Sequence, residues 1–186
     1  MQIILASQSP RRHELLELVK IPHKVVPSNS KEIHKESSNP EDIVVDISLQ
    51  KAREVAQRFP NDLIIGADTI VVINNEILGK PHNEMEARTM LYKLSGNTHY
   101  VLTGVTVIYK DTIKQFVEKS EVTFCKMTEE EITDYIHNEN VYDKAGSYAI
   151  QGMCSKYIES IKGDYYNIMG LPVCKLYHML KEIMNK

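Results

Sequence analysis

The sequence predicts a mixed α/β domain built on a large, partly antiparallel sheet. Three observations carry that expectation. Short apolar runs of strand length, Ile3 to Ala6 and Leu63 to Ile73, are bounded by turn residues. Helix-start signatures at Ser9-Pro10, Asn39-Pro40, Asn83 and Thr128 precede residues with helical periodicity. Between these lie two long adjacent segments, Tyr100 to Lys110 and Thr112 to Lys126, which read as an antiparallel pair.

Taken in order, the strand Ile3 to Ala6 feeds Ser7-Gln8-Ser9-Pro10-Arg11-Arg12. Ser9 suits a helix N-cap and Pro10 the first helical position, with Leu15, Leu16 and Val19 as the apolar stripe. A second strand is expected near His23 to Val26. The polar stretch from Pro27 to Asn39 is long for a connector in a compact domain, which favours a functional loop. From Asn39-Pro40 a helix runs to about Phe59 on Ile43, Ile47, Ala52, Val55 and Ala56. Leu63 to Ile73 is a buried strand with one small polar patch, and Asn74-Asn75 turns it into Glu76-Ile77-Leu78. Asn83 with Glu86, and Thr128 with Glu131, resemble capping boxes for helices to about Leu94 and His137. Short strands are expected between Tyr148 and Ile161. Pro172 starts a closing helix that carries Val173, Leu176, Leu180 and Ile183 on one face.

Composition narrows the function. The chain has 186 residues, 42% hydrophobic and 25% charged, as expected of a single globular domain spanning residues 1–186. A formal charge of −3 disfavours polymeric nucleic acid as a partner while leaving single nucleotides open. No signal peptide is visible, and no apolar run approaches the roughly 20 residues of a membrane helix. Cys125, Cys154 and Cys174 form no CxxC pair or disulfide framework, so a reducing cytoplasm is expected, with the thiols buried. His13-Glu14 begins like a zinc-protease helix, but position 17 is Glu rather than His.

Four segments hold more polar chemistry than folding requires. In the first, Ser7 to Arg12, a strand ends at a helix N-terminus, where backbone N–H groups and the dipole attract phosphate. Arg11 and Arg12 oppose that dipole unless an anion binds; a solvated helix start is the alternative. In the second, Asp68 interrupts an apolar strand and needs a cation, a metal or donors to offset its desolvation. It suits metal ligation or activation of a water, though a buried structural Asp is the plain reading. The third, Gly79-Lys80-Pro81, is no Walker loop and offers one point charge. In the fourth, Asp143 to Gly152, Gln151 could read a base edge or satisfy a turn.

Together the blocks Leu5 to Arg12, Gly66-Ala67-Asp68-Thr69, Gly79-Lys80-Pro81, Leu94-Ser95-Gly96, Thr103-Gly104, Asp143 to Gly146, Ile150-Gln151-Gly152 and Gly170-Leu171-Pro172 resemble the Maf family, the septum-formation-inhibitor proteins. The resemblance covers almost the whole chain. It implies an elongated mixed sheet flanked by helices, with two lobes around a cleft, similar to inosine-triphosphate pyrophosphatases. It implies Asp68 as proton acceptor, Ser7, Arg12, Lys51 and Lys80 as phosphate contacts, and Glu32 joining Asp68 around Mg2+, Mn2+ or Co2+. Arg11, Thr69 and Gln151 resemble the subgroup acting on dTTP and UTP; the sibling subgroup acting on 7-methyl-GTP has tryptophan, glutamine and glutamate there. The implied role is removal of pyrimidine nucleotides from the cytoplasmic pool as monophosphate and pyrophosphate, with a link to septum formation and room for a homodimer. The rival is a non-catalytic nucleotide-binding regulator of cell division. An acid in the site favours the enzyme, because a pure triphosphate binder gains from excluding it unless metal is present.

Overall fold

The computed structural model describes residues 1–31, 33 and 39–185. Its elements are β1 (Ile3–Leu5), α1 (Pro10–Leu18), β2 (Lys24–Val25), α2 (Pro40–Arg58), β3 (Leu63–Ile73), β4 (Glu76–Leu78), α3 (Glu84–Leu94), β5 (Thr98–Tyr109) and β6 (Thr112–Phe124), followed by α4 (Glu129–Asn138), β7 (Ile158–Lys162), α5 (Tyr165–Met169) and α6 (Val173–Met184). Among the described residues the strands form one mixed sheet in the order β2-β1-β3-β5-β6-β7, with β4 paired to β3 off that path. The expected mixed sheet flanked by helices is what the chain forms. It divides into two compact units: Met1–Thr69 with Thr103–Glu118 and Tyr166–Lys186, and Ile70–Leu102 with Lys119–Tyr165.

In the first unit β1 lies parallel to both β2 and β3, with Ile3, Ile4 and Leu5 opposite Leu63, Ile64 and Ile65. The chain goes from β1 to β2 on one side and returns through α2 to β3 on the other. Because parallel crossovers are right-handed, this reversal sends the two helices to opposite faces of the sheet. One face packs Ile4, Ala6 and Ile64 against Ala52 and Val55 of α2, with Val26 and Ile108 completing the cluster. Two glycines let α2 approach so closely. A Cβ at Gly66 would meet the Ser48 carbonyl oxygen at 2.3 Å, and one at Gly104 would meet the Val44 carbonyl at 2.4 Å. The buried face of α6 carries Val173, Leu176, Leu180 and Ile183.

In the second unit β3 turns into β4 through Asn74 and Asn75, both at positive φ (51° and 63°), the twist a two-residue hairpin favours. Thr128 and Glu131 form a full capping box at α4. At α3 the Glu86 amide donates to Asn83, while the Glu86 carboxylate accepts from the amide of His82 and the side chain of Asn83.

The strands expected between Tyr148 and Ile161 are mostly absent. Residues Ala145–Ser147 and Gly152–Tyr157 form 3₁₀ turns, and only Ile158–Lys162 pairs, antiparallel to β6. The reason is local: Gly146, Ser147 and Gly152 sit at φ of 69°, 64° and 74°, which breaks an extended run. The short helix α5 had no counterpart in the sequence reading. The thiols need a correction too. Only Cys154 is buried, whereas Cys125 and Cys174 are exposed because they fall on outward positions of a strand end and a helix. No helix among the described residues is long and apolar enough to cross a membrane.

Candidate active site

The carboxyl end of β1 is where the sheet's strand order reverses, and open α/β sheets bind ligands outside such ends. β1 stops beside Ile65, where the Ala6 amide donates to the Ile65 carbonyl, and β3 continues past it through Gly66, Ala67, Asp68 and Thr69. Thus Ser7 to Arg12 and Asp68-Thr69 come to the same end of adjacent strands for reasons of topology.

Successive residues of β3 leave opposite faces, so Asp68 and Thr69 carry separate sets of partners. Asp68 shares its face with Gly66, against α2. Lys51 lies one turn beyond Ser48 on that helix, and its Nζ reaches Asp68 Oδ1 at 2.7 Å. Both side chains are largely shielded, 15% and 12% exposed, so solvent screens their attraction less than in a surface ion pair, while each needs the other to offset its desolvation.

On the other face Arg12 is buried, and its guanidinium is held at three nitrogens. Nε donates to the Gly170 carbonyl (2.8 Å), Nη1 to Ser7 Oγ (3.0 Å) and Nη2 to Thr69 Oγ1 (2.9 Å). Ser7 Oγ also accepts the Ser9 amide at 3.2 Å, which shapes the entry to α1. Ser9 itself occupies the N-cap position without a side-chain cap. Arg11, half-buried, follows Pro10 on the same first turn. The result is a fixed positive charge at a helix N-terminus, directly beyond β1.

Thr69, expected to take part in base selection, has hydroxyl partners within the fold. Its hydroxyl lies within 2.9 Å of both Arg12 Nη2 and Thr103 Oγ1, so it is engaged inside the fold. Thr103 and Gly170, given no role in the sequence reading, are the residues that reasoning missed. A threonine inside the apolar run from Val101 to Ile108, and a glycine before Leu-Pro, were the available signals.

Lys80 and Gln151 belong to the second unit, and both are exposed. There the Gly146 amide donates to the Gly79 carbonyl at 3.0 Å, so the Gly79-Lys80-Pro81 and Asp143-to-Gly146 blocks are joined. A Cβ at Gly146 would also press on Val71 at 3.1 Å. Gln151 precedes the second 3₁₀ turn and makes no side-chain cap hydrogen bond to it. Glu32 lies outside the described residues.

Comparison with known proteins sets these residues in context. The family model described as Maf-like protein matches residues 2–183. The chain belongs to this family. Relatives named dTTP/UTP pyrophosphatase in Bacillus cereus and Bacillus mycoides are each 50% identical over 181 residues, covering 97% of this chain and 95% of theirs. Among solved structures, the Ham1 protein of Staphylococcus aureus is 13% identical and covers 67% of this chain and 72% of its own, with a TM-score of 0.48. A HAM1 protein from Coxiella burnetii is 16% identical and covers 68% and 74%, with a TM-score of 0.49.

A divalent metal is the cofactor to test against this geometry. No group of three or more His, Cys, Asp or Glu that could hold a metal occurs among the described residues. Mg2+ asks for less, since it keeps several waters and takes one or two carboxylates plus substrate phosphates. Asp68, with Oδ1 on Lys51 and further lone pairs on its carboxylate, is chemically suited to that.

Proposed function

We propose that this Maf-family chain is a single-domain dTTP/UTP pyrophosphatase, releasing the nucleoside monophosphate and pyrophosphate. The observation that carries the reading is the shielded Asp68–Lys51 pair, next along β3 to the Arg12 anchor at the end of β1. The relatives at 50% identity supply the substrate class.

In this reading Ser7, Arg11, Arg12, Lys51 and Lys80 hold the triphosphate, Arg12 through orientation and the lysines as point charges. Asp68 orients a water toward the α-phosphorus and takes up its proton as the new P–O bond forms. The α–β bridging oxygen leaves with pyrophosphate, whose charge the cations stabilise. Asp68, with Glu32 as the resemblance implies, would hold a divalent cation (Mg2+, Mn2+ or Co2+), which would supply neutralisation of the phosphate charge. Gln151 presents amide donors and an acceptor to the carbonyl and N–H edge of a pyrimidine, and Arg11 and Thr69 are the other residues assigned to substrate choice.

Removal of pyrimidine nucleotides, modified ones included, is the accompanying role. Free thiols at exposed Cys125 and Cys174 support a reducing cytoplasm as its place of work. A homodimer is the assembly to examine by light scattering.

The base edge supplies the test. Gln151→Glu sets an acceptor opposite a base carbonyl, a loss of roughly 1–3 kcal/mol, or about one to two orders of magnitude in kcat/KM for UTP. GTP hydrolysis should change much less. Equal decline with both nucleotides would remove Gln151 from base recognition.

A further inference from the structure

One arrangement of the Thr69 and Thr103 protons keeps every contact from Arg12 to Asn167 short. Thr103 Oγ1 donates to the Asn167 carbonyl at 3.1 Å, and a carbonyl can only accept. With its one proton on that carbonyl, Thr103 accepts at the 2.9 Å contact with Thr69; the reverse direction would leave the Thr69 proton only the 3.5 Å contact to Gly170. Thr69 has one proton as well. The Gly170 carbonyl competes for it at 3.5 Å, too long to rival Thr103. With that proton directed to Thr103, the Thr69 oxygen presents lone pairs to Arg12 Nη2 at 2.9 Å. The relay runs one way: Arg12 Nη2–H to Thr69, Thr69 to Thr103, Thr103 to the Asn167 carbonyl.

The same carbonyl accepts the Gly170 amide at 2.9 Å, and the Gly170 carbonyl accepts Arg12 Nε at 2.8 Å. The ring of bonds closes on itself. It fixes the guanidinium plane from two directions, and Gly170, at φ 114°, allows the backbone to turn its carbonyl inward. Thr103 and Asn167 are fully buried, so water cannot replace a lost member.

We propose that Thr103 is a positioning residue for substrate: its hydroxyl fixes the direction of the Thr69 proton and so aims Arg12 at the triphosphate. This rests on the reading of Arg12 as a phosphate contact. If Thr103 became Val, the shape would survive but the Thr69 oxygen would lose its defined polarity. Arg12 would then sample more orientations. A contact made equally in ground and transition states appears in KM.

The test is kinetic, with dTTP and UTP, well below each variant's Tm. Thr103→Val should raise KM about tenfold with kcat within about threefold of the parent. Thr103→Ser, which keeps the hydroxyl, should restore KM to within about twofold. Thr103→Ala removes the hydroxyl with a smaller side chain and serves if the valine form fails to fold. In the Arg12→Lys background, Thr103→Val should add less than about twofold, since its effect passes through the guanidinium. A parental KM in Thr103→Val, failure of serine to rescue, or fully additive losses with Arg12→Lys would overturn the proposal. Parental kcat/KM in Arg12→Lys would instead overturn the reading of Arg12 as a phosphate contact, which separates the two failures.

Discussion

Asp68 concentrates the chemistry at the scale of single residues. A carboxylate in an eleven-residue strand with otherwise apolar or small neighbours is costly unless a partner offsets it, and Lys51 does so at 2.7 Å. That makes Asp68 legible in sequence as a residue needing an explanation. Lys51 was not legible on residue grounds, because a lysine in a helix is ordinarily solvated; only the approach of α2 over Gly66 aims it inward. Asp68→Asn keeps the shape while removing the charge and the proton acceptor. Turnover should fall at least about a hundredfold, with nucleotide binding measured by calorimetry largely retained. Near-parental turnover would take the catalytic role away from Asp68.

The elements explain why these side chains meet. α2 must lie almost in backbone contact with β3 and β5, and the glycines at 66 and 104 permit it. Gly66→Ala would place its Cβ 2.3 Å from a backbone oxygen that no rotamer change can move. Overpacking of this kind costs roughly 1–3 kcal/mol, often more against backbone. Both a lower Tm and a lower kcat are expected, because a displaced α2 carries Lys51 away from Asp68. Unchanged Tm together with unchanged kcat would show that the contact is not strict. Helix starts and the long β5–β6 pair were readable because caps, proline and periodicity act locally. The segment from Tyr148 to Tyr157 was not: its apolar and aromatic residues suit strands, but positive φ at Gly152, and just ahead of it at Gly146 and Ser147, overrides that preference. Likewise the closed ring through Thr103, Asn167 and Gly170 joins residues far apart in sequence, which no local pattern announces.

At the scale of the molecule, family membership and the mixed fold came through clearly in the sequence, since motif order and spacing extend along nearly the full length. The pH response could be seen only in the structure. His99 is fully buried in the second unit, donating to or accepting from the Tyr148 hydroxyl at 2.8 Å and edge-on to Phe124. Burial pushes its imidazole down to about 4. Cys154 and Tyr148 nearby are pushed upward by burial and stay neutral through this range. The unfolded chain therefore binds a proton at His99 near pH 6.5 that the folded chain refuses until about pH 4. Stability from this group is complete above about pH 6.5 and declines as pH falls toward 4, by about 3 kcal/mol in all. Urea unfolding at pH 7.5 and pH 5 should show that decline, and His99→Gln should flatten it; an equal slope in the variant would assign the decline to carboxylates instead.

The central claim is that water attacks the α-phosphorus at the site built on Asp68, and isotope placement reads it directly. Hydrolysis of dTTP in 18O-labelled water with Mg2+, followed by mass spectrometry of both products, identifies the phosphorus attacked. The label should appear in dTMP, with unlabelled pyrophosphate as the co-product. Label in pyrophosphate, or release of dTDP and orthophosphate, would contradict the account.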